Sequence, residues 1–497
     1  HSYLVYMKML HMKKIIVPAL LFLVSASYAN VRLPAVLSNN MVLQQQSSVK
    51  LWGWAGPAEM IYITTSWNNK TDSVKATRDA NWQLMIQTPA AGGPYTITFK
   101  GNNTITLDNV LIGEVWILSG QSNMEMNEQW GLPDVRAELP TCANKNIRFF
   151  YIPKTTATTP QDDTKAEWAL CDSNTLKPFS AVGYFFGKKL NAELNVPIGL
   201  MNANWGGTPA EAWTSPDALL TYADFKDSVE KYQQLQEDWE LLYKKHKQTV
   251  DSLRQLNNKS KLPDNPVQKN YPTSLYNAMI APLVPYGIKG VIWYQGEGNA
   301  ARAKQYRTLF PLLINDWRNK WKNNKLPFIY VQLANYQAKK ADPVLVDNWA
   351  LLREAQTMTL QLPNTGMALA IDIGDAKNIH PTNKQDVGKR LYLAANHVAY
   401  KEKNVYSGPQ FKSMKIDGDK IAIKFNHTGS GLQNKGDKVL GFAVAGEDKK
   451  FYWGNAIIEG NKIIVSSNDV PKPVAVRYAW AVNPDASLYN KEGLPAL

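Results

Sequence analysis

One serine and one histidine in this chain sit where nucleophilic chemistry could be done. Gly120-Gln121-Ser122-Asn123-Met124 follows the apolar run Val115-Trp116-Ile117-Leu118, so Ser122 stands at the tip of an expected buried strand, well placed to attack. Serine is a weak nucleophile at its own pKa, so attack needs a base within hydrogen-bond reach and donors for an oxyanion. The chain has six histidines. His1 and His11 fall in an N-terminal stretch that reads as removable, and His246 lies among Lys244, Lys245 and Lys247 on a helical face suited to solvent. His427 sits among turn residues, and His397 ends the helical pattern that begins at Arg390. His380 remains, in the loop Asn378-Ile379-His380-Pro381-Thr382 between an apolar strand and that helix, where a base would project into a cleft.

The elements that must position these two residues read as α/β. The expected strands are Val115 to Leu118, Ile198 to Asn202, Gly290 to Tyr294, Phe328 to Leu333 and Met367 to Ile371, with helix-period runs between them. Such interleaving predicts a doubly wound parallel sheet of five strands. In open α/β sheets ligands gather beyond the carboxyl ends of the strands. The loops there are polar and glycine-rich: Gly120 to Asn123, Asn204-Trp205-Gly206-Gly207-Thr208, Gln295-Gly296-Glu297-Gly298-Asn299, and Gly374-Asp375 leading to His380.

Antiparallel β modules are expected at both ends. Residues 30–109 alternate short β-rich runs with Gly, Pro and Asn, the pattern of a small sandwich, and strand patterns return over 405–497. The α/β part spans 110–404, interrupted by a polar helical insertion over 217–261 that reads as a surface helix or a lid. With 497 residues, more than one domain is the prior.

Residues 1–29 read as upstream or appended residues followed by a secretory signal: Lys13-Lys14, the apolar run Ile15 to Val24, then Ser27-Tyr28-Ala29. Export, to periplasm or exterior, is the expected address. The apolar run is too short to span a bilayer, so no membrane insertion is expected. Cys142 and Cys171 are the two cysteines, and export permits a disulfide that sequence cannot decide. The net charge of +13 raises nucleic acid as a partner, but the basic residues are scattered among acids, so a solvated basic surface is the reading and nucleic acid is not expected. Acidic glycans suit the same charge. No cluster has metal-ligand spacing and no phosphate or dinucleotide loop is present, so neither metal nor cofactor is expected. Oligomeric state is not legible.

Taken in order, several motifs carry a resemblance. They are Gly120-Gln121-Ser122-Asn123-Met124-Glu125-Met126, Ser274-Leu275-Tyr276-Asn277 with Ile280-Ala281-Pro282-Leu283, Trp293-Tyr294-Gln295-Gly296-Glu297, Ile379-His380-Pro381 with Lys384, Val387-Gly388 and Arg390-Leu391, and Leu488-Tyr489-Asn490-Lys491-Glu492-Gly493-Leu494-Pro495. The chain resembles the sialate O-acetylesterase family of the SGNH hydrolase superfamily. That likeness implies an esterase acting on an acetylated carbohydrate, with Ser122 as nucleophile and His380 as general base. The backbone N–H groups of Ser122 and Gly207 would hold the oxyanion, joined by a side-chain amide from Asn299 or Gln295. The superfamily's acid before the histidine is missing, since Lys377 and Asn378 occupy those positions. Either Asp375 orients His380, with Glu297 a remoter choice, or a Ser-His dyad operates. Trp205 and Trp213 are candidate platforms for a sugar ring, and Glu297 a candidate substrate contact. The sugar stays open between sialic acid and plant polysaccharides such as xylan, and a glycan-binding protein with impaired turnover is the rival of another class.

Overall fold

The computed structural model describes residues 30–256, 263, 266–343 and 346–497. The signal-like segment and the end of the 217–261 insertion lie outside the described residues. The main path of the central sheet has seven strands: β1 (Thr104–Gly120), β2 (Asn144–Tyr151), β3 (Trp168–Cys171), β4 (Ile198–Asn204), β5 (Gly290–Tyr294), β6 (Phe328–Val331) and β7 (Thr365–Ala368). Their order is β7-β6-β5-β1-β4-β2-β3, all parallel except β3, which runs antiparallel to β2 at the edge. The expectation of five strands is thus corrected to six parallel strands and one antiparallel one. Strand β2 escapes a reading by apolar runs because it opens Asn144-Lys145-Asn146 and carries Arg148 in its buried half.

Both faces of the sheet are covered, which is why β1 reads as a continuous apolar run rather than an alternation. Val115 and Ile117 point into one core with Trp213, Leu309, Phe310 and Leu352, whereas Trp116 and Leu118 point into another with Val182, Phe186 and Leu391. After the short helix α1 (Ser122–Glu125), the helices that supply these layers are α2 (Ala181–Leu194), α3 (Ala223–Gln255), α4 (Ala303–Lys320), α5 (Asn348–Met358) and α6 (Lys384–Tyr400). Helix α3 lies in the expected insertion and buries only Phe225, Val229 and Tyr232, near its start.

Strand β1 is 17 residues long and serves two sheets. Its first half pairs antiparallel with Gly92–Lys100 of the N-terminal module, and its second half pairs with β4 and β5. Val42–Gln44 adds in parallel to Leu111, Ile112 and Gly113. The expected module boundary at 109 and 110 therefore falls inside a continuous strand. At the other end, Gln410–Asp417, Lys420–Asn426, Lys462–Ser466 and Asn455–Glu459 form a four-stranded antiparallel sheet with its own core around Ile421, Ile463 and Val465. Arg353 of α5, fully sequestered, donates to the carbonyls of Ala481 (2.9 Å) and Val482 (2.8 Å) and so ties this module to the sheet. Cys142 and Cys171 are both buried free thiols, and burial pushes Cys171 up to about 12. Among the described residues no helix is long and apolar enough to cross a membrane.

Candidate active site

Chain order and sheet order part company at β1. The chain fills β2, β3 and β4 on one side of it and then crosses to β5, β6 and β7 on the other, making β1 the switch point where a crevice opens. Gly120 pairs with Asn204 on one side and Tyr294 on the other, so three loops leave the sheet side by side. Gly120 itself has φ of +136°, and a Cβ there would stand 2.2 Å from the Tyr294 carbonyl oxygen. Only glycine lets the strand turn this close to its neighbour, and the turn delivers Ser122 to the first position of a four-residue helix.

His380 meets it there: Nε2 lies 2.8 Å from Ser122 Oγ, across 258 residues of sequence. The loop is shaped by side-chain turns, with Asn378 Oδ1 accepting the His380 N–H at 2.9 Å. Trp130 packs edge-on against the imidazole at 5.3 Å, a contact sequence reasoning missed because nothing local distinguishes this tryptophan from fifteen others. Burial, and after it the charge of Lys384, hold His380 below the ordinary imidazole value, with the Glu125 carboxylate acting against them. The ring is therefore neutral and ready to accept a proton at neutral pH. Asp375 does not orient it. That carboxylate is exposed and accepts the Lys377 N–H at 2.8 Å, closing a turn of its own. Nδ1 of His380 has no hydrogen-bond partner among the described residues.

The backbone N–H groups of Ser122 and Gly207 have no acceptor among the described residues. Both residues line a cleft with Gln121, Glu125, Trp130, Trp205, Gly206, Lys269, Glu297 and His380. The amides expected to join them do not. Asn299 is buried, accepts from Ala210 N (2.9 Å) and Gln295 Nε2 (2.7 Å), and donates to Glu211 Oε2 (2.9 Å). Gln295 is as fully committed, with Tyr306 OH donating to its Oε1 at 2.9 Å. These two residues brace the loops from behind. The amide facing the cleft belongs to Gln121, whose Oε1 accepts the Gly298 N–H at 3.0 Å, leaving Nε2 without a partner among the described residues. Its position next to Ser122 was the available signal.

Glu297 is turned inward rather than toward a ligand. Its Oε1 accepts from Asn123 Nδ2 at 2.6 Å, and Oε2 is buried without a partner. Asn123 also donates to the Ile379 carbonyl (3.1 Å) and accepts from Lys384 Nζ (2.7 Å), so one amide joins the Ser122 loop to the His380 loop and to α6. Burial drives the Glu297 carboxyl up against the pull of Asn123 and Lys384, and drives Lys384 down to about 7 against the pull of Glu297. Trp205 is half-buried at the cleft wall, whereas Trp213 is 0% exposed and donates to Thr208 Oγ1 at 2.9 Å, a bracing role and not a platform. Among the described residues no group of His, Cys, Asp and Glu could hold a metal ion.

Known proteins resemble this chain along most of its length. Residues 260–397 match the family model described as carbohydrate esterase, sialic acid-specific acetylesterase. The human sialate O-acetylesterase is 29% identical over 513 residues, covering 95% of this chain and 91% of that protein. A carbohydrate acetylesterase from Xanthomonas citri, known from its crystal structure, is 38% identical with a TM-score of 0.80, over 94% of this chain and 98% of that one. The chain belongs to the sialate O-acetylesterase family. It is accordingly a carboxylic ester hydrolase acting on carbohydrate acetyl esters, with a mixed α/β fold whose mostly parallel central sheet is flanked by antiparallel ones.

Proposed function

We propose that the protein is an exported serine esterase that removes O-acetyl groups from a glycan, sialic acid first, through an acetyl-enzyme on Ser122. The observation that carries the reading is the 2.8 Å contact between Ser122 Oγ and His380 Nε2. His380 takes the serine proton as Oγ attacks the acetyl carbonyl. The developing oxyanion is held by the N–H groups of Ser122 and Gly207 and by Gln121 Nε2. Collapse expels the sugar oxygen, to which His380 returns the proton, and a water activated by the same imidazole releases acetate. With no carboxylate on Nδ1 among the described residues, the pair works as a dyad, and imidazolium is stabilised less than in a triad.

Sialic acid is favoured by the human relative's name and suits a basic chain with Lys269 at the cleft. Acetylated xylan or another plant polysaccharide is the second reading, since the Xanthomonas citri relative is a carbohydrate acetylesterase and the fold fixes the reaction, not the sugar. Export rests on the charged, apolar and small-residue pattern ending at Ala29. The test is acetate release over O-acetylated sialosides, xylo-oligosaccharides and pectins, with Ser122→Ala and His380→Ala alongside. Release from sialosides that disappears in both variants supports the reading. Release from xylan alone transfers the substrate to the second reading, and release that survives in Ser122→Ala overturns the mechanism.

A further inference from the structure

Two consecutive glycines, Gly206 and Gly207, carry the segment that presents one of the oxyanion donors. Such a segment has no side chain to anchor it, and glycine's freedom in φ allows the peptide between the two residues to turn over. A turned peptide would put the Gly206 carbonyl where the Gly207 N–H had been, replacing attraction for an oxyanion with repulsion. Something must hold the plane.

Both edges of the segment are gripped by charged side chains. Lys269 Nζ donates to the Gly206 carbonyl oxygen at 2.6 Å. Glu125 Oε2 accepts the Gly206 N–H at 2.5 Å, and the other oxygen of that carboxylate is paired with Lys154. Lys269 is itself steadied over the Trp205 ring, 5.8 Å from its centroid. The peptide bond is planar and trans, so a carbonyl drawn to one side sends the following N–H out of the other. With the Gly206 carbonyl on Lys269, the Gly207 N–H leaves the opposite edge, where it has no acceptor among the described residues.

We infer that Lys269 is a positioning residue for ester hydrolysis, its ammonium group locking the Gly206–Gly207 peptide so that the Gly207 N–H stays aimed at the oxyanion. Glu125 fixes the preceding peptide in the same way. The inference rests on the proposed role of Gly207, and it separates from the other use a lysine at this cleft invites, contact with an anionic sugar. A sugar contact acts through KM and only on charged substrates. A lock on the oxyanion hole acts through kcat on every acetyl ester.

The experiment compares Lys269→Met and Lys269→Arg with the parent enzyme on 4-nitrophenyl acetate, which is uncharged, and on an O-acetylated sialic acid. Inhibition by methylboronic acid, whose tetrahedral serine adduct places an oxygen in the hole, is measured in parallel. Lys269→Met is expected to lose about 10- to 100-fold in kcat on both esters, KM staying within about twofold, and to bind the boronate more weakly by a similar factor. Lys269→Arg, which still offers an N–H to the carbonyl, recovers most of both. A loss confined to the sialic acid and expressed in KM, or a Lys269→Met enzyme with unchanged kcat, overturns the inference while leaving Ser122 and His380 intact. Equal failure of Met and Arg variants with a lowered Tm assigns Lys269 to loop folding and also overturns it. Activity surviving in Ser122→Ala would instead remove the reading on which the lock depends.

Discussion

Ser122 and His380 were legible as residues because each departs from its surroundings: a hydroxyl on an apolar strand tip, a histidine in a loop rather than on a helix face. The amide proposed for the oxyanion hole was not, since Asn299, Gln295 and Gln121 are chemically alike and only tertiary partners decide which amide is spent. Asn299 has three neighbours to satisfy and Gln121 Nε2 has none among the described residues. Gln121→Leu is therefore expected to lose about 10²- to 10³-fold in kcat, measured in steady state. Asn299→Leu leaves the buried Ala210 N–H without its acceptor and Glu211 Oε2 without its donor, and should cost about 1–3 kcal/mol of stability per stranded group, read as a lower Tm. The pH profile tests His380. A base must be unprotonated, and this imidazole is held below the ordinary value of about 6.5, so the acid limb of kcat/KM lies below it. Lys384 and Glu125 are the charged groups acting on it, in opposite directions. Removing the cation in Lys384→Met should move the acid limb to higher pH.

The strands that carry the site are buried on both faces and announced themselves as apolar runs, which is why β4, β5 and β6 stand where they were expected. Strand β2 did not, because Arg148 and its polar start break the run although the strand is buried. Helix α6 positions His380 indirectly. Arg390 is bidentate to Asp372, at 2.6 and 2.8 Å, and donates to the Leu369 carbonyl, pinning the helix to the loop after β7. Burial works to raise the Asp372 pKa, but the hydrogen bonds and charge of Arg390 outweigh it and hold the carboxyl below its usual range. A depressed folded pKa gives stability that is present above the unfolded value of about 3.9 and lost as pH falls through the folded one. Arg390→Met leaves that carboxylate buried with the Tyr489 hydroxyl but without its counter-charge, at a cost of about 3–5 kcal/mol. Thermal unfolding at neutral pH reads this loss, and the difference from the parent should shrink in acid.

At the scale of the whole molecule, the α/β middle and the β-rich ends were visible in the alternation of elements, but their joint was not. A boundary near 109 looked natural because turn residues Asp108 and Asn109 precede a change of pattern, yet β1 runs through it and belongs to both sheets. Ile61, Ile63 and Phe99 of the N-terminal module share one core with Ile117 and Trp293 of the central sheet. Truncation to a chain starting at Val110 should strip Leu111 and Ile112 of their partners and yield insoluble or loosely packed protein. In the intact chain these two parts should unfold in one calorimetric transition. Two separate transitions would show that the shared strand does not couple them.

If the acetyl group passes through Ser122, rapid-quench mass spectrometry with peptide mapping on an acetyl ester will catch it there. One added acetyl group is expected on the peptide that holds Ser122, formed faster than it decays in His380→Ala mixtures supplemented with imidazole, and absent from Ser122→Ala. Full turnover with the acetyl group on another residue, or with Ser122→Ala as active as the parent, would contradict it.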